Sequence, residues 1–352
     1  MNADGATSSL GPVLAVCGWS GSGKTTLLEA VIPALLRQGL AVAVVKHDAH
    51  GIDADRPGKD SDRLFRAGAD VTLEGPGEAL RRSHGDIELV SALRELLAGH
   101  DLVLVEGHKT TPVPKVWLAS PTDPAPPPEA ANVVAALPWG GDRTARLLAI
   151  LDELLPRAWR EVPLMGGVLI GGASRRMGRP KHLLEFDGRT FLERAVGALG
   201  SRVRGIAILG DGALPPELAA TPQLADAPGL EGPLAGILTA MRWAPDRAWL
   251  VAACDLPRVT AAAVEWLIAQ RGPGRWAVIP RLPSGLEPLL ALYEPQARGV
   301  LEGIAARGLR APRLVAEHPK AHVAAPPANL LGCWDNVNTA GDLAELGPDL
   351  SS

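Results

Sequence analysis

Two glycine-rich segments of this sequence have the residue types and spacing that bind the phosphates of a nucleotide. The first is Gly18-Trp19-Ser20-Gly21-Ser22-Gly23-Lys24-Thr25, a complete Walker A motif. The second runs from Leu169 to Lys181, and the residues of it that suit a phosphate site include two adjacent glycines and three cations: Gly171, Gly172, Arg175, Arg176 and Lys181. Each segment follows an apolar run and precedes an amphipathic one, which is the setting that a phosphate-binding loop requires.

The Walker A motif predicts a bound nucleoside triphosphate. Gly21 and Gly23 allow backbone N–H groups to converge on phosphate oxygens. Lys24 is expected to reach the β- and γ-phosphates, and Thr25 or Thr26 to offer a hydroxyl to Mg²⁺. The motif leaves open which base is bound and whether the triphosphate is hydrolysed.

A carboxylate is expected beside that magnesium ion, at the end of a neighbouring strand. Asp101 opens and Glu106 closes the apolar run 101–106, and we favour Glu106 because it lies at the carboxyl end. Asp101 is predicted to be an exposed residue at the strand entry, and Asp48 is an alternative on the ligand side. Three nearby histidines could form a metal site: His47, His50 and His108. We rank that alternative below hydrogen-bond donation from these histidines to phosphate.

The second loop is suited to a different reaction, attack on the α-phosphorus with departure of pyrophosphate. Gly171 and Gly172 let the backbone approach a ligand, while the three cations would stabilise charge on the leaving group. Lys181 and Arg176 are the predicted catalytic cations, Lys181 above all.

Two aspartates complete the predicted second site. Asp255 closes a buried strand and is expected to bind Mg²⁺, the alternative being an N-cap of the helix near Val259. Asp226 precedes a Gly/Pro-rich segment, and contact with base, ribose or metal stays open against a turn role.

The order of elements predicts where these loops lie. Strand 12–18, helix 25–38 and strand 40–46 form a β-loop-α-β unit, and the pattern restarts with a strand at 166–170. We therefore predict two three-layer α/β domains, at 11–160 and 164–350, after a disordered tail at 1–10. Further strands are predicted at 70–74, 101–107, 132–137, 205–209, 249–254 and 276–280, and helices at 62–69, 87–98, 142–157, 190–199, 233–243 and 259–270.

Composition narrows the classes of function. The 352 residues carry a formal charge of −4 with both signs mixed, so neither nucleic acid nor a membrane surface is an expected partner. We read no signal peptide and no transmembrane helix. The three cysteines, Cys17, Cys254 and Cys333, are widely spaced, and the two that lie in or beside apolar runs are predicted to be buried. A cytoplasmic location is expected.

The first half resembles the MobB family, the GTP-binding adapters of molybdenum-cofactor guanylylation. The resemblance covers about 11–160 and rests on four segments: 18–24, 44–47, Asp-Arg-Pro-Gly-Lys-Asp-Ser at 55–61, and 104–107 with Pro114-Lys115. Two roles are open for the segment 55–61: Arg56 and Lys59 could bind phosphates, or Asp60 and Ser61 could cap the next helix. His108 departs from the aromatic residue that relatives usually carry.

The second half resembles the MobA family of molybdenum cofactor guanylyltransferases over about 164–348. The supporting segments are 169–172, 176–178, Lys181, 232–236, Cys254-Asp255-Leu256-Pro257 and Asn336-Val337-Asn338-Thr339. The resemblance implies contacts to GTP from Leu169, Ile170, Gly171 and Lys181, to the nucleoside from Asp226, and to Mg²⁺ from Asp255. It places Asn336 and Asn338 on the side of the site that binds the pterin. The alternative is that they form a turn and the cap of the last helix.

Together the resemblances imply a P-loop NTPase-like domain followed by a Rossmann-like nucleotidyltransferase domain. The implied reaction transfers GMP from GTP to the phosphate of molybdopterin and releases pyrophosphate. Alternatives are a cytidylyltransferase for the same pterin, a sugar-phosphate nucleotidyltransferase, and a P-loop switch that only binds cofactor. Implied partners are proteins that deliver molybdopterin or mature molybdoenzymes, and a homodimer through the first domain.

Overall fold

The computed structural model describes residues 10–47, 55–85, 87–171 and 180–345. In the first half of the chain, strands and helices alternate around the Walker A segment. Their bounds are β1 Val13–Gly18, α1 Lys24–Arg37, β2 Val42–Lys46, α2 Asp60–Arg66, β3 Val71–Gly75, β4 Glu78–Arg82, α3 Leu89–Leu97, β5 Leu102–Glu106, β6 Lys115–Leu118, β7 Val133–Leu137 and α4 Arg143–Glu161.

The N-terminal sheet is parallel throughout, with the strand order β2-β5-β1-β6-β7. Alternate residues of β1 point to opposite faces, as strand geometry requires. Leu14 packs with α1 and α4 on one face, and Ala15 packs with α3 on the other. The predicted three-layer α/β arrangement of this half is therefore confirmed.

Helix α2 and the β3–β4 hairpin form a small unit beside this sheet. The predicted capping of α2 by Asp60 or Ser61 is wrong: the N-cap residue is Lys59, without a side-chain cap bond. Ser61 instead donates its hydroxyl to Asp55 at 3.1 Å, and Arg82 of β4 donates to Asp55 at 2.8 Å. The distinctive 55–61 segment thus anchors its own loop to the hairpin.

The second half repeats the alternation with more strands. Their bounds are β8 Leu164–Leu169, β9 Glu185–Phe186, β10 Arg189–Thr190, α5 Phe191–Leu199, β11 Ile206–Leu209, β12 Gln223–Leu224, α6 Pro233–Trp243, β13 Ala248–Ala253, α7 Ala261–Ala269, β14 Ala277–Leu282, β15 Gly285–Leu286, β16 Leu290–Tyr293, α8 Ala297–Ala306, β17 Ala321–Ala324 and α9 Ala340–Glu345.

The C-terminal sheet is mixed, with the order β12-β11-β8-β13-β16-β14-β15 and β17 paired to β14. Strand β16 runs antiparallel to both neighbours, so β13 and β14 point the same way. Helices α5 and α7 cover one face, and α6 and α8 cover the other. This half is therefore also a three-layer α/β structure, as predicted.

Asp101 corrects a prediction from the sequence. It was expected to be exposed at the entry to its strand, yet it is completely buried before β5. Its carboxylate accepts from the backbone N–H of Ala41 at 2.7 Å and from Trp276 Nε1 at 2.7 Å, and it pairs with the ammonium of Lys320. Both side-chain partners come from the second half of the chain, beyond the reach of a local pattern.

All three cysteines are buried and free, including the two for which burial is predicted. Cys17 and Cys254 come directly before Gly18 and Asp255, so each cysteine is adjacent in the chain to a predicted ligand segment. Within the described ranges, no helix combines the length and apolarity needed to cross a bilayer.

Candidate functional site

The Walker A loop joins the carboxyl end of β1 to the first turn of α1. Its three glycines have φ angles of 157°, 74° and 86° at Gly18, Gly21 and Gly23. A Cβ on Gly18 would lie 2.8 Å from the carbonyl oxygen of Leu118, so only glycine fits against β6. The backbone therefore has the conformation in which N–H groups turn toward a phosphate.

Lys24 folds back over this loop. Its ammonium donates to the carbonyl oxygens of Gly18 and Trp19, each at 3.0 Å. Arg143 at the start of α4 braces the same loop by donating to the carbonyl oxygen of Ser22 at 2.8 Å. Arg143 was not predicted, because it lies 121 residues from its acceptor and no local motif marks it.

Thr25 and Glu106, both expected from the sequence to lie beside a magnesium ion, meet next to the loop. The Thr25 hydroxyl donates to Glu106 Oε1 at 2.9 Å, and Lys46 Nζ lies 3.8 Å from the same oxygen. The sheet register explains this, since Glu106 is paired with Val16 on one side and Lys46 on the other. A hydroxyl and a carboxylate are hard oxygen ligands that suit Mg²⁺.

The structure also describes some of the alternative ligands that were considered for the Walker A loop. Thr26 follows Thr25 on α1, and it is Thr25 that reaches the carboxylate. His47 and His108 lie side by side with ring centroids 4.8 Å apart, and burial, followed by the neighbouring His47, lowers the pKa of His108. Within the described part of the chain, no three metal-binding side chains converge. Asp48 and His50 lie outside the described residues.

The second site is a cavity of about 410 Å³ at the carboxyl edge of the C-terminal sheet. It lies where parallel strands end, the usual position of a ligand site in an α/β fold. Six of the predicted site residues line it: Leu169, Ile170, Gly171, Lys181, Asp226 and Asp255. The fold thus brings together residues that are up to 86 positions apart, from 169 to 255.

Lys181 stands between two acceptors at this cavity. Its ammonium donates to Asp255 Oδ2 at 3.1 Å and to Asn338 Oδ1 at 2.8 Å. The next residue, His182, is buried and has its Nε2 2.9 Å from the carbonyl oxygen of Ala213. His182 was missed from the sequence; it fixes the short 3₁₀ turn that carries Lys181.

Asp255 follows β13, and its backbone is tied down from the C-terminal segment. The N–H of Val337 donates to the carbonyl oxygen of Asp255 at 2.9 Å. The alternative of a helix N-cap is excluded, because Thr260 caps α7 by accepting from Ala263. Glu287 lies close enough that burial, followed by the negative charge of Asp255, raises the pKa of Glu287.

Asp226 faces the same cavity from beyond β12. Desolvation by the surrounding residues, followed by the nearby Asp211 carboxylate, raises the pKa of Asp226. Asp211 lies two residues after the end of β11. An acid in this setting can accept hydrogen bonds from a nucleoside once it is ionised.

The two predicted asparagines flank a buried anchor. Val337 is 1% exposed and packs with Phe186 and Phe191, whereas Asn336 and Asn338 are exposed on either side of it. Asn338 uses its side chain on Lys181. The helix cap at α9 is made instead by Thr339, whose hydroxyl accepts from the backbone N–H of Asp342, while the Asp342 carboxylate accepts from the backbone N–H groups of Asn338 and Thr339.

Part of the second loop lies outside the described residues. The predicted ligand residue Gly172 and the predicted cations Arg175 and Arg176 fall in 172–179. Their roles stay predictions. The described part of the cavity therefore contributes Lys181 as its cation and Asp255 as its metal-binding candidate.

Comparison with known protein families divides the chain in the same way. Residues 13–138 match the family described as MobB, molybdopterin guanine dinucleotide synthesis protein B. Residues 166–322 match the MobA-like NTP transferase domain. Both candidate sites begin inside these spans, the Walker A loop in the first and the cavity in the second.

Individual relatives are similar to one half of the chain each. The molybdopterin-guanine dinucleotide biosynthesis adapter protein of Haemophilus influenzae is 39% identical over 132 residues, which are 36% of this chain and 73% of that protein. The probable molybdenum cofactor guanylyltransferase of Bacillus cytotoxicus is 28% identical over 191 residues, which are 51% of this chain and 94% of that protein.

Two solved structures are likewise each similar to one half of the chain. Molybdopterin-guanine dinucleotide biosynthesis protein A from Archaeoglobus fulgidus is 26% identical with a TM-score of 0.41, covering 51% of this chain and 95% of that one. A MobB protein homolog from Bacillus stearothermophilus is 26% identical with a TM-score of 0.32, covering 40% of this chain and 98% of that one.

Proposed function

This chain belongs to the MobB family in its first half and continues into a MobA-like NTP transferase domain, and we propose that it makes molybdopterin guanine dinucleotide. It would transfer GMP from GTP to the phosphate of molybdopterin and release pyrophosphate. The observation that carries the proposal is the Lys181–Asp255 pair, 3.1 Å apart, in a cavity at the carboxyl edge of the sheet.

The reaction places few demands on the protein beyond charge and position. An oxygen of the molybdopterin phosphate forms a bond to the α-phosphorus of GTP, and the bond from that phosphorus to the β-bridging oxygen breaks. The attacking phosphate is already an anion, so no protein base has to remove a proton. The negative charge that builds on the departing pyrophosphate is stabilised by cations, here Lys181 and the predicted Arg176.

The donor set at the cavity fits a magnesium ion. The side chain of Asp255 is 24% exposed and faces the cavity with a carboxylate, the oxygen donor that Mg²⁺ prefers. A bound Mg²⁺ would supply positive charge to the phosphates. In the first half, Thr25 and Glu106 offer the corresponding hydroxyl and carboxylate.

We assign the remaining cavity residues by position. Leu169, Ile170, Gly171 and the predicted Gly172 would hold the nucleotide with backbone groups, and Asp226 would accept from the nucleoside. Asn336 would face the pterin. Asn338 would orient Lys181, in view of its 2.8 Å contact with that ammonium.

The first half would act as a GTP-binding adapter. Gly21, Gly23 and Lys24 would bind the triphosphate. The resemblance also supports protein partners that deliver molybdopterin or mature molybdoenzymes, and a homodimer formed through this half. It further supports domain bounds at 11–160 and 164–350 and a cytoplasmic location. Sedimentation of the purified chain at several concentrations tests the homodimer.

Pyrophosphate release from GTP and molybdopterin tests the proposed reaction. Lys181→Ala and Asp255→Asn each remove charge at the reacting phosphates, so we expect kcat to fall by about 10²–10³. Arg242→Met, which removes an exposed ion pair on α6, is the matched control and should leave the rate unchanged. Equal rates with all three variants, or faster release from CTP than from GTP, would contradict the proposal.

A further inference from the structure

The two sheets of this molecule contact each other through their amino-terminal edges. Asp101 lies just before β5, Trp276 just before β14 and Lys320 just before β17. The carboxylate of Asp101 accepts from Trp276 Nε1 at 2.7 Å and pairs with the ammonium of Lys320, which also donates to the carbonyl oxygen of Gly39. We call these three side chains the edge lock.

A second set of contacts lies at the same edges. Arg271 precedes β14, is buried against Glu294 at 2.6 Å, and donates to the carbonyl oxygens of Trp159 and Val162 at 3.1 and 3.2 Å. Gln296, after the antiparallel strand β16, donates to the carbonyl oxygen of His100 at 3.2 Å. These contacts therefore place the amino-terminal edge of one sheet against that of the other.

The chain connection requires this arrangement. Helix α4 starts beside the Walker A loop, where Arg143 contacts Ser22, and its last turn reaches the opposite edge, where Trp159 Nε1 donates to the carbonyl oxygen of Asp101 at 3.3 Å. Strand β8 begins at Leu164, three residues after α4 ends at Glu161. So short a connection can join only edges that are adjacent.

The two candidate ligand sites consequently face away from each other. Both lie at carboxyl edges, the Walker A loop after β1 and the cavity after β8 and β13. These strands have six residues each. At about 3.3 Å per residue each sheet spans about 20 Å, so about 40 Å separates the sites. A nucleoside triphosphate is much shorter than that separation.

We propose that the nucleotide on the Walker A loop is never the donor consumed in the cavity of the same chain. Each chain then holds two nucleotides at opposite ends, one that is converted and one that is retained. The Walker A end is left facing outward, toward a molecule other than the transferase half of its own chain. That the cavity consumes GTP rests on the function proposed above.

A single-turnover experiment separates the two nucleotides. The full chain is loaded with two equivalents of GTP radiolabelled in the α-phosphate, and molybdopterin is then added together with a large excess of unlabelled GTP. We expect about one labelled GMP group in product per chain, since label that leaves the Walker A loop is diluted. Close to two labelled groups per chain would mean that the loop feeds the cavity, and would overturn the proposal.

A distance measurement tests the arrangement without any reaction. Trp139→Cys, beyond β7, and Asp211→Cys, beyond β11, put spin labels at the two carboxyl edges, while the native thiols are buried. We expect about 40 Å; 25 Å or less would overturn the proposal. In the control pair Val134→Cys and Trp139→Cys, the two Cα atoms are five residues and at most about 18 Å apart, so the measured distance should be clearly shorter than that of the first pair. If no product forms, labelled or unlabelled, but the distance is long, the proposed transfer fails and the arrangement stands.

Discussion

At the scale of single residues, Lys181 is held by one charged and one neutral acceptor. Asp255 contributes attraction, while Asn338 contributes direction through a fixed amide oxygen. The amide is itself positioned by its neighbour Val337, whose N–H binds Asp255 and whose side chain is buried. A cation placed in this way is oriented before substrate arrives, which is what stabilisation of a leaving group requires.

Replacement of Asn338 should therefore disturb the chemical step more than binding. In Asn338→Ala the ammonium of Lys181 keeps Asp255 but loses its second acceptor, and we expect kcat to fall about tenfold with little change in KM. Steady-state kinetics of pyrophosphate release measure this. Asn336→Ala is the matched control, and we expect it to raise KM for molybdopterin. An Asn338→Ala effect confined to KM would show that this residue binds substrate instead.

The pH dependence of nucleotide binding should report on Asp226. Its pKa is raised, so its ionised form is lost as pH falls through a midpoint above the ordinary value of about 3.9. Nucleotide affinity at the cavity should decline at that midpoint. Asp211→Asn removes a neighbouring negative charge, so the midpoint should move to lower pH.

A carboxyl-carbon NMR titration of Asp226 measures the midpoint directly. Glu217→Gln, an exposed change on the same β11–β12 connection, is the control and should leave it in place. The same midpoint with and without Asp211 would refute the coupling.

At the scale of elements, the Walker A loop depends on the strand beside it. Gly18 is the residue through which β1 passes β6, and an added Cβ would lie 2.5 Å from Ser22 Oγ and 2.8 Å from a backbone oxygen of Leu118. Neither the oxygen of a paired strand nor the loop can move without breaking the phosphate cradle. The glycine thus couples sheet packing to ligand binding.

Gly18→Ala should accordingly weaken GTP binding at the Walker A loop. Relief of the contact with Leu118 requires a backbone shift that costs about 1–3 kcal/mol, so we expect a loss of affinity of about 5–150-fold. Binding of a fluorescent GTP analogue measures it. Gly99→Ala, where a Cβ meets nothing within 4 Å, should bind as the unmodified chain does. Equal affinities in both variants would refute the account.

Sequence patterns predicted most elements because those elements depend on local periodicity. Helix α6, for example, was predicted at 233–243 and occupies Pro233–Trp243. Strands β6 and β16 were not predicted. Each has only four residues, and its place in a sheet is set by pairing with strands distant in the chain. The fold class can thus be predicted from the sequence, whereas the order of strands in each sheet cannot.

The candidate cavity shows the same division. Residue type and strand position were enough to select Lys181 and Asp255, which the fold then places 3.1 Å apart. The sequence did not indicate that Asn338 would contact Lys181, since 157 residues separate them. Nor did it indicate His182, whose importance comes from its buried contact with Ala213.

At the scale of the whole molecule, the edge lock connects two halves that each have their own core. Its central carboxylate, Asp101, is fully buried and receives Lys320 from 219 residues away. Removing the partner of a buried charge lowers the free energy of unfolding, because neither water nor another ion can take the partner's place. The lock therefore makes the stability of one half depend on the other.

Lys320→Met should destabilise the folded chain by about 3–5 kcal/mol, because Asp101 stays buried without its cation. Denaturant unfolding followed by Trp fluorescence measures the change, and the two halves should separate into distinct transitions. Arg242→Met is the matched control: its pair with Glu302 is exposed, with side-chain exposures of 42% and 38%, so we expect less than about 1 kcal/mol. Similar losses in both variants would contradict a special role for the lock.

The two buried thiols next to the ligand segments in the chain have a consequence for how this protein responds to its chemical surroundings. Burial raises the pKa of Cys17 to about 11 and that of Cys254 to about 12, so almost no thiolate exists at neutral pH. Alkylating agents and mild oxidants should leave the folded molecule untouched. The rate at which these thiols become modified would instead measure how often each nucleotide site opens.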